Sequence, residues 1–402
     1  MVCNPHLTET RAYMFADINE LKDGILPCQW LRMAAAEDII TGPYRIPESN
    51  YQPASLDLRL GEKAYRLRCS FLPDSQTVQE KLEDLTMGEL DLRDGAILEK
   101  DRPYLIPLLE ELKLPEFIHA KTNPKSSIGR LDIFTRVITD SSHKFDEIRA
   151  GYSGQLYLEV VSRSFTVKVQ KELSLNQLRL IKGDASCDED KVRAQHQKLP
   201  ILRGGDGQPR DIGSGNRVSL SVNLKKDGWP ISGWRAKKNS GLLDLVSGAQ
   251  YEALEYWEEV KADNLDRLIL EPEEFYLLAS EEKVCIDPMF AAEMTPYDPS
   301  SGEVRTHYAG FFDPGFGYGG KNGPHGVRAV MEVRAHDVPF MMEHGQKVCT
   351  LAFEEMLERP DKLYGAKIGS SYQQQGLTLS KYFLPPRELQ GSFPLTSDAA
   401  KQ

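Results

Sequence analysis

An internal repeat constrains the fold of this 402-residue chain more than any other feature of its sequence. Residues 98–124 align without a gap with residues 270–296, at a constant offset of 172 residues. Further along, the run LYLEVV around Glu159 matches AVMEVR around Glu332 at an offset of 173 residues. Two matches in the same order and at nearly the same offset indicate a duplication, in which each copy is a folding unit.

Short runs of alternating apolar and polar residues fill both copies, as at residues 155–161 and 164–169. Such alternation is typical of strands with one buried face, and Pro and Gly at regular intervals favour compact antiparallel barrels. Helical periodicity is confined to residues 27–40, 77–85 and 250–262. The chain is therefore predicted to be mainly β, with two tandem distorted antiparallel β barrels or rolls and a few short accessory helices.

The domain boundaries follow from the same patterns. The first copy is predicted at residues 1–194, together with its N-terminal helical segment, and the second at residues 217–360. Residues 195–216 are rich in Gly, Pro and polar residues and lack periodicity, so they are predicted to be a linker. Residues 361–402 form a tail whose Gly, Gln and Ser content fits either disorder or a segment that covers a ligand.

Composition narrows the classes of function. The chain is 40% hydrophobic and 27% charged, and it has no apolar run near the roughly 18 residues of a membrane span. The N-terminus lacks the pattern of a secretory signal, so a cytoplasmic location is expected. The six cysteines show no CxxC spacing, which predicts neither a disulfide framework nor a zinc knuckle. A net charge of −11 argues against broad nucleic-acid binding and leaves room for one small anionic ligand.

Copy one carries a compact group of hydroxyls and cations. The run KSSIGR places Lys125, Ser126, Ser127 and Arg130 around a glycine, and we call residues 125–130 the phosphate turn. Hydroxyl and backbone N–H groups supply directional donors and the cations supply charge, so the turn is predicted to bind phosphate. By composition alone, such a run is more often an ordinary surface turn.

Copy two carries a different signal. The run HYAGFFDPGFG at residues 307–317 contains an Asp-Pro-Gly turn at Asp313 and precedes the strand-like run with Glu332. It predicts a hairpin whose tip can present backbone groups to a flat ring. Ala309 and Asp313 are therefore candidate ligand-binding residues. A purely structural hairpin is the alternative interpretation.

These motifs, together with QPASLDLRLG at residues 52–61, resemble the dCTP deaminase family. The resemblance implies a dUTPase-like fold of the β-clip type in each copy and hydrolysis of dCTP to dUTP and ammonia. It makes Ser126 and Arg130 candidates for the catalytic machinery as well as for substrate binding. The tail also resembles the family's C-terminal segment, which folds over the nucleotide and here supplies Tyr364, Tyr372 and Gln375.

Deamination requires a group that takes a proton from water and returns protons to the ring or to the leaving amine. A partly buried carboxyl group suits this task because burial raises its pKa. Glu332 and Glu159 both correspond to the family's catalytic glutamate, and the choice between them stays open at this point. The zinc-deaminase signature HxE…PCxxC is absent from the sequence, so no zinc is expected. The resemblance to dCTP deaminases implies Mg²⁺ that is bound only through the substrate triphosphate.

The two motifs are divided between the copies. Copy one lacks the Asp-Pro-Gly run, and copy two lacks an Arg three residues after its Ser pair. In the superfamily that the chain resembles, each site lies between neighbouring units. The resemblance therefore implies one kind of competent site here, built from the phosphate turn of copy one and from Ala309, Asp313 and Glu332 of copy two. Whether the halves meet within or between chains is left open, although the family resemblance implies a homo-oligomer.

Several alternatives to a plain dCTP deaminase remain at this point. A dUTPase or a bifunctional enzyme that releases dUMP is one, and an inactive nucleotide-binding regulatory module is another. The expected partner is dCTP, with dUTP or dTTP as product or regulator, and neither nucleic acid nor a membrane is expected.

Overall fold

The chain folds mainly as β-strands. A computed structural model describes residues 15–225, 230–296, 304–306, 310–319, 325–335, 337–365 and 376–384. The helices are α1 Cys28–Ala36, α2 Val78–Leu85, α3 Ser126–Gly129, α4 Glu189–Lys198 and α5 Ala253–Tyr256, with 3₁₀ turns at Phe15–Glu20 and Glu48–Asn50. No helix within the described ranges has the length and apolar character needed to cross a membrane.

The strands divide between the two copies. Those of copy one are β1 Gly24–Ile25, β2 Ile40–Thr41, β3 Leu56–Leu58, β4 Lys63–Leu67, β5 Thr86–Asp91, β6 Ala96–Leu98, β7 Tyr104–Lys113, β8 Ile118–Pro124, β9 Ile133–Ile138, β10 Glu147–Ile148, β11 Ser153–Ser162, β12 Val167–Val169 and β13 Asn176–Lys182. Those that follow are β14 Leu202–Arg203, β15 Arg217–Asn223, β16 Gly233–Ala236, β17 Leu243–Asp244, β18 Tyr251–Glu252, β19 Trp257–Val260, β20 Arg267–Leu270, β21 Phe275–Val284, β22 Phe290–Pro296, β23 Val304–Thr306, β24 Phe311–Phe312, β25 Val327–Ala335, β26 Phe340–Glu343, β27 Lys347–Glu355 and β28 Phe383–Leu384.

The sheets of copy one are curled and antiparallel. One has the order β1-β13-β8-β10 with β3 beside β13, and the other has the order β5-β4-β7-β11-β9 with β2 beside β7. In copy two, most strands join one large sheet along the path β19-β16-β21-β15-β27-β22-β24. The expected mainly β class is therefore confirmed.

The two copies pair their strands in the same register. Glu159 of β11 lies opposite Leu105 of β7, and Glu332 of β25 lies opposite Leu277 of β21. The same register pairs β13 with β8 in copy one and β27 with β22 in copy two. The offsets read from the sequence are thus the offsets of hydrogen-bonded strand partners.

A side-chain contact repeats as well. The Tyr104 hydroxyl accepts a hydrogen bond from the Glu99 N–H at 3.2 Å in copy one. In copy two, the Tyr276 hydroxyl accepts one from the Glu271 N–H at 3.0 Å. The duplication therefore preserves local geometry as well as topology.

Two of the three predicted helices form, and the third does not. Helix α2 begins at a capping box in which Thr77 and Glu80 bind each other's backbone N–H groups, and α1 lies within residues 27–40. The segment 250–262 was predicted to be helical, but it is strand β18, the single turn α5 and strand β19. Tyr256 and Trp257 of this segment are buried, so tertiary packing overrides the helical pattern.

The segment predicted to be a linker contains regular structure. Helix α4 runs across its start, and β14 pairs with β21 of copy two. Only the last turn of α4 and the two residues of β14 fall within residues 195–216. Both elements are too short there to produce a periodic pattern in the sequence.

Aromatic packing and charge join the two copies. The Phe165 ring of copy one packs edge-on against Tyr256 and Trp257 of copy two, with ring centres 5.8 and 5.5 Å apart. The buried carboxylate of Asp132 pairs with Arg334 across the same boundary. Burial of each large aromatic side chain stabilises the interface by about 1.5–3 kcal/mol.

Candidate active site

The phosphate turn follows directly after β8. Lys125 is extended, and α3 then folds Ser126 and its neighbours into one turn, closed by a bond from the Ile128 N–H to the Lys125 carbonyl at 2.7 Å. Ser127 and Arg130 are buried. This geometry turns the cation of Arg130 away from solvent and toward copy two.

The hairpin of copy two begins at β24 and turns at Asp313. The Ile286 N–H donates to the Phe316 carbonyl at 2.8 Å, which fixes the turn against the loop that follows β21. Gly317 has a φ of +66°, and a Cβ at this position would lie 2.2 Å from the Val284 carbonyl oxygen. Only glycine fits there, because the position requires both a left-handed backbone and a close backbone approach.

The two halves meet in one cavity within a single chain. Its volume is about 580 Å³, including space open to solvent. The lining residues are Pro124, Lys125, Ser126, Gly129 and Arg130 from copy one, and Met294, Gly310, Phe311, Phe312, Asp313, Phe316, Ala329, Val330, Glu332 and Tyr364 from copy two and the tail. The charged and polar lining from copy one and the mainly apolar lining from copy two suit a small ligand that has both a charged and a flat apolar part.

Glu332 is a carboxyl group in an apolar wall of this cavity. It is 7% exposed, and this burial raises its pKa from the usual 4.5 to about 8. The Arg130 guanidinium opposes that rise and the Asp132 carboxylate adds to it. A carboxyl group that holds its proton at neutral pH can act both as an acid and, after one transfer, as a base.

Arg179, which the sequence motifs did not indicate, anchors the hairpin of copy two. Arg179 of copy one is fully buried and donates to Asp313 at 3.3 Å, to the Phe312 carbonyl at 3.1 Å and to the Ala292 carbonyl at 3.2 Å. Its guanidinium also lies 3.9 Å from the centre of the Phe311 ring. Burial raises the pKa of Asp313 and Arg179 opposes the rise. The signal available in the sequence was an arginine between two leucines, Leu178 and Leu180.

Glu159 lies elsewhere and does not line the cavity. Arg136 donates to one of its carboxylate oxygens, with the Nε atom at 3.1 Å. The guanidinium is also 3.6 Å from the centre of the Phe145 ring and 4.5 Å from that of Phe134. The space beside Glu159 is therefore filled by an ion pair and aromatic rings.

Copy one retains the hairpin in altered form. Strand β10 pairs with β8 in the same register as β24 with β22, so Arg149 stands where Asp313 stands in copy two. The Leu114 N–H donates to the Tyr152 carbonyl at 2.8 Å, which matches the bond that fixes the copy-two turn. The duplication thus kept the turn and reversed the charge at its tip.

Lys125 is paired with a buried carboxylate. Its ammonium group contacts Asp57 of β3, and burial raises the pKa of Asp57 while Lys125 opposes the rise. The Lys381 side chain lies near both, and burial together with Lys125 lowers its pKa. Of these three groups, only Lys125 lines the cavity, where it lies beside Arg130.

The tail contributes one described residue to the cavity. The Tyr364 N–H donates to the Pro314 carbonyl at 2.9 Å, and its ring centre lies 5.4 Å from that of Phe316. Three of the residues predicted to bind substrate lie outside the described residues, namely Ala309, Tyr372 and Gln375.

Comparison with known families covers both copies. Residues 22–184 match the family model described as the 2'-deoxycytidine 5'-triphosphate deaminase (DCD) N-terminal domain. Residues 188–383 match the model described as the 2'-deoxycytidine 5'-triphosphate deaminase (DCD), C-terminal domain.

Individual proteins that are similar to this chain carry names of the same family. The crystal structure of 2'-deoxycytidine 5'-triphosphate deaminase from Agrobacterium tumefaciens is 44% identical in sequence and superposes with a TM-score of 0.78. The alignment covers 84% of this chain and 99% of the chain in that structure. A protein of Nanoarchaeum equitans called "dCTP deaminase, dUMP-forming" is 27% identical over 164 residues, which is 36% of this chain and 77% of that protein. One of Hydrogenobaculum sp. with the same name is 29% identical over 148 residues, 36% of this chain and 75% of that protein.

Proposed function

Because the chain belongs to the dCTP deaminase family, we propose that it hydrolyses dCTP to dUTP and ammonia in the cavity between its two copies, with Glu332 as the acid and base. The observation that carries this proposal is the convergence of the phosphate turn, the Asp313 hairpin and the buried Glu332, whose pKa is raised by burial, on that one cavity.

Substrate binding is proposed to follow the charge distribution. The triphosphate lies on the phosphate turn, where Lys125 and Arg130 supply charge and Ser126 and Ser127 supply hydroxyls. The cytosine lies against the copy-two hairpin, with Asp313 held by Arg179. Tyr364, Tyr372, Gln375 and Ala309 complete the proposed substrate contacts.

Proton transfer is proposed to pass through Glu332 alone. Its carboxylic acid protonates N3 of the cytosine, and the resulting carboxylate takes a proton from the water that attacks C4. The same group then protonates the amino group, and ammonia leaves as the C4 hydroxyl returns its proton to the carboxylate. Glu332 ends in the protonated state in which it began, which accords with its raised pKa.

The metal is proposed to be Mg²⁺ bound through the triphosphate oxygens of the nucleotide. Within the described residues, no group of three or more His, Cys, Asp or Glu side chains could hold a metal ion without the substrate. This fits an ion that arrives with the nucleotide, where it neutralises phosphate charge. The proposed absence of zinc rests on the sequence, which lacks the zinc-deaminase signature.

Release of dUMP is a second candidate outcome. Its support is the name "dCTP deaminase, dUMP-forming" carried by the relatives from Nanoarchaeum equitans and Hydrogenobaculum. Chromatography of products from dCTP separates the two cases, because a deaminase alone accumulates dUTP and a bifunctional enzyme accumulates dUMP and pyrophosphate.

Matched substitutions at equivalent positions test the catalytic assignment. Glu332→Gln is expected to lower single-turnover ammonia release from dCTP by about 10²–10⁴-fold, as loss of general acid–base catalysis does. Glu159→Gln is the control, since that residue lies at the same register position in copy one. Loss of activity in the Glu159 variant alone would refute the assignment.

The inactive-module alternative is tested with the unaltered chain. Tight binding of dCTP without ammonia release in Mg²⁺ buffer would favour a regulatory nucleotide-binding protein. Release of ammonia in zinc-free buffer with Mg²⁺ present supports the enzyme and its proposed metal.

A further inference from the structure

Residues 376–384, which we call the strap, bind the phosphate turn of copy one. The Arg130 Nη1 atom donates to the Thr378 carbonyl at 2.8 Å. Two residues later, the Ser380 hydroxyl donates to the Ser127 carbonyl at 2.7 Å, and both of these groups are buried. The strap thus binds the phosphate turn at two points, the backbone carbonyl of Ser127 and the guanidinium of Arg130.

The other side of the strap is bound by copy two. The Trp234 indole N–H donates to the Leu377 carbonyl at 3.3 Å, and the Tyr251 N–H donates to the Tyr382 carbonyl at 2.8 Å. Strand β28 at its end pairs in parallel with β18. Its apolar side chains, Leu377, Leu379, Tyr382 and Phe383, are all buried in the core shared by the two copies.

These contacts make the strap a rigid support between the copies. The carbonyl groups of the strap are held in place by its hydrogen bonds to both copies and by its four buried apolar side chains. They are therefore preorganised to accept hydrogen bonds from the phosphate turn. A guanidinium presents its donors in a planar fork, and a fixed carbonyl on one of them restricts the orientation of the whole group.

We infer that Ser380 is a positioning residue, through which the strap sets the phosphate turn and Arg130 for the triphosphate. This inference rests on the proposed function, because it takes the phosphate turn to be the triphosphate site. Ser380 acts through Ser127 and does not itself touch the substrate.

The test compares the affinities of the chain for nucleotides that carry three, two or one phosphate groups. Ser380→Ala removes the hydrogen bond to the Ser127 carbonyl, and a buried bond of this kind corresponds to about a three- to tenfold change in an equilibrium constant. Calorimetry with dCTP, dCDP and dCMP is carried out on the full chain carrying Glu332→Gln, so that no ligand turns over. The added Ser380→Ala substitution is expected to weaken dCTP binding by that factor and dCMP binding by less than about twofold.

Ser162→Ala is the matched control, because that buried hydroxyl also donates to a carbonyl, that of Phe165 at 2.5 Å, outside the cavity. It is expected to leave the affinities for all three nucleotides unchanged. Ser380→Cys, with a weaker donor of similar size, should shift dCTP affinity in the same direction by less, and it serves if the alanine variant does not fold. Equal weakening for dCTP and dCMP, or no weakening, would overturn the inference.

Failure of this inference and failure of the proposed function give different results. An unaltered chain that releases no ammonia from dCTP refutes the function, whatever the strap variants do. An active chain whose Ser380→Ala variant binds dCTP as tightly as its parent refutes only the positioning role.

Discussion

Replacement of Glu332 by Gln is expected to stabilise the folded chain, and increasingly so as the pH rises. The folded protein holds the Glu332 pKa at about 8, whereas the usual value is 4.5. Between pH 4.5 and about 8, Glu332 is ionised in the unfolded chain and protonated in the folded chain. Folding must then return a proton to this carboxylate, and the free energy that this costs increases with pH. A glutamine of similar shape carries no such cost.

The size of the effect follows from the two pKa values. At about 1.36 kcal/mol per pKa unit, the stability gap between the Gln variant and the unaltered chain is roughly 1 kcal/mol near pH 5.5, about 3 kcal/mol near pH 7 and about 5 kcal/mol near pH 8.5. Urea unfolding followed by tryptophan fluorescence at these pH values measures the gap, with the slope of each transition checked for a change in cooperativity.

Glu159→Gln is again the matched control. It removes the partner of Arg136, which stays partly exposed and keeps a hydrogen bond to Ser70, so it is expected to destabilise the chain by about 1–3 kcal/mol. A stability gap for the Glu332 variant that stays constant from pH 5.5 to pH 8.5, or that narrows, would refute the argument that burial raises the pKa of Glu332.

Three further substitutions test neighbouring parts of the structure. Arg179→Met is expected to destabilise the chain by about 3–5 kcal/mol in urea unfolding, because it leaves Asp313 buried without its cation; an unchanged midpoint would contradict this. Asp132→Asn removes a carboxylate that raises the pKa of Glu332, so the alkaline limb of kcat/KM against pH should move to lower pH; a shift to higher pH would contradict it. Phe165→Ala is expected to cost about 3–5 kcal/mol of unfolding free energy by opening a cavity between the copies, and a loss under about 1 kcal/mol would mean that the interface repacks.

The repeat made much of the fold predictable, because a constant offset between aligned strands also fixes their partners. The sequence therefore anticipated that Glu159 and Glu332 lie in equivalent strands, and the structure gives them equivalent partners. The segment 250–262 could not be predicted in the same way. Its aromatic residues form strand and turn because they pack against copy one, and that partner is invisible to local periodicity.

The contribution of both copies to the cavity lining could also be predicted from motif content. The difference between the two glutamates was not, since it depends on what fills the space beside each one. Arg136 precedes Glu159 by 23 residues, and only the pairing of β9 with β11 brings it alongside. Arg179 was missed for a similar reason, because its partners in the hairpin of copy two are more than a hundred residues away.

The cavity lined by both copies of one chain has a consequence for mixtures of variants. A chain altered at Arg130 and a chain altered at Glu332 each lack one half of the cavity that the two copies line together within a single chain. Where active sites are shared between subunits, mixing two such variants restores a fraction of intact sites. Under the proposed function, in which each chain carries both halves of its own site, the two altered chains are expected not to complement each other when they are mixed.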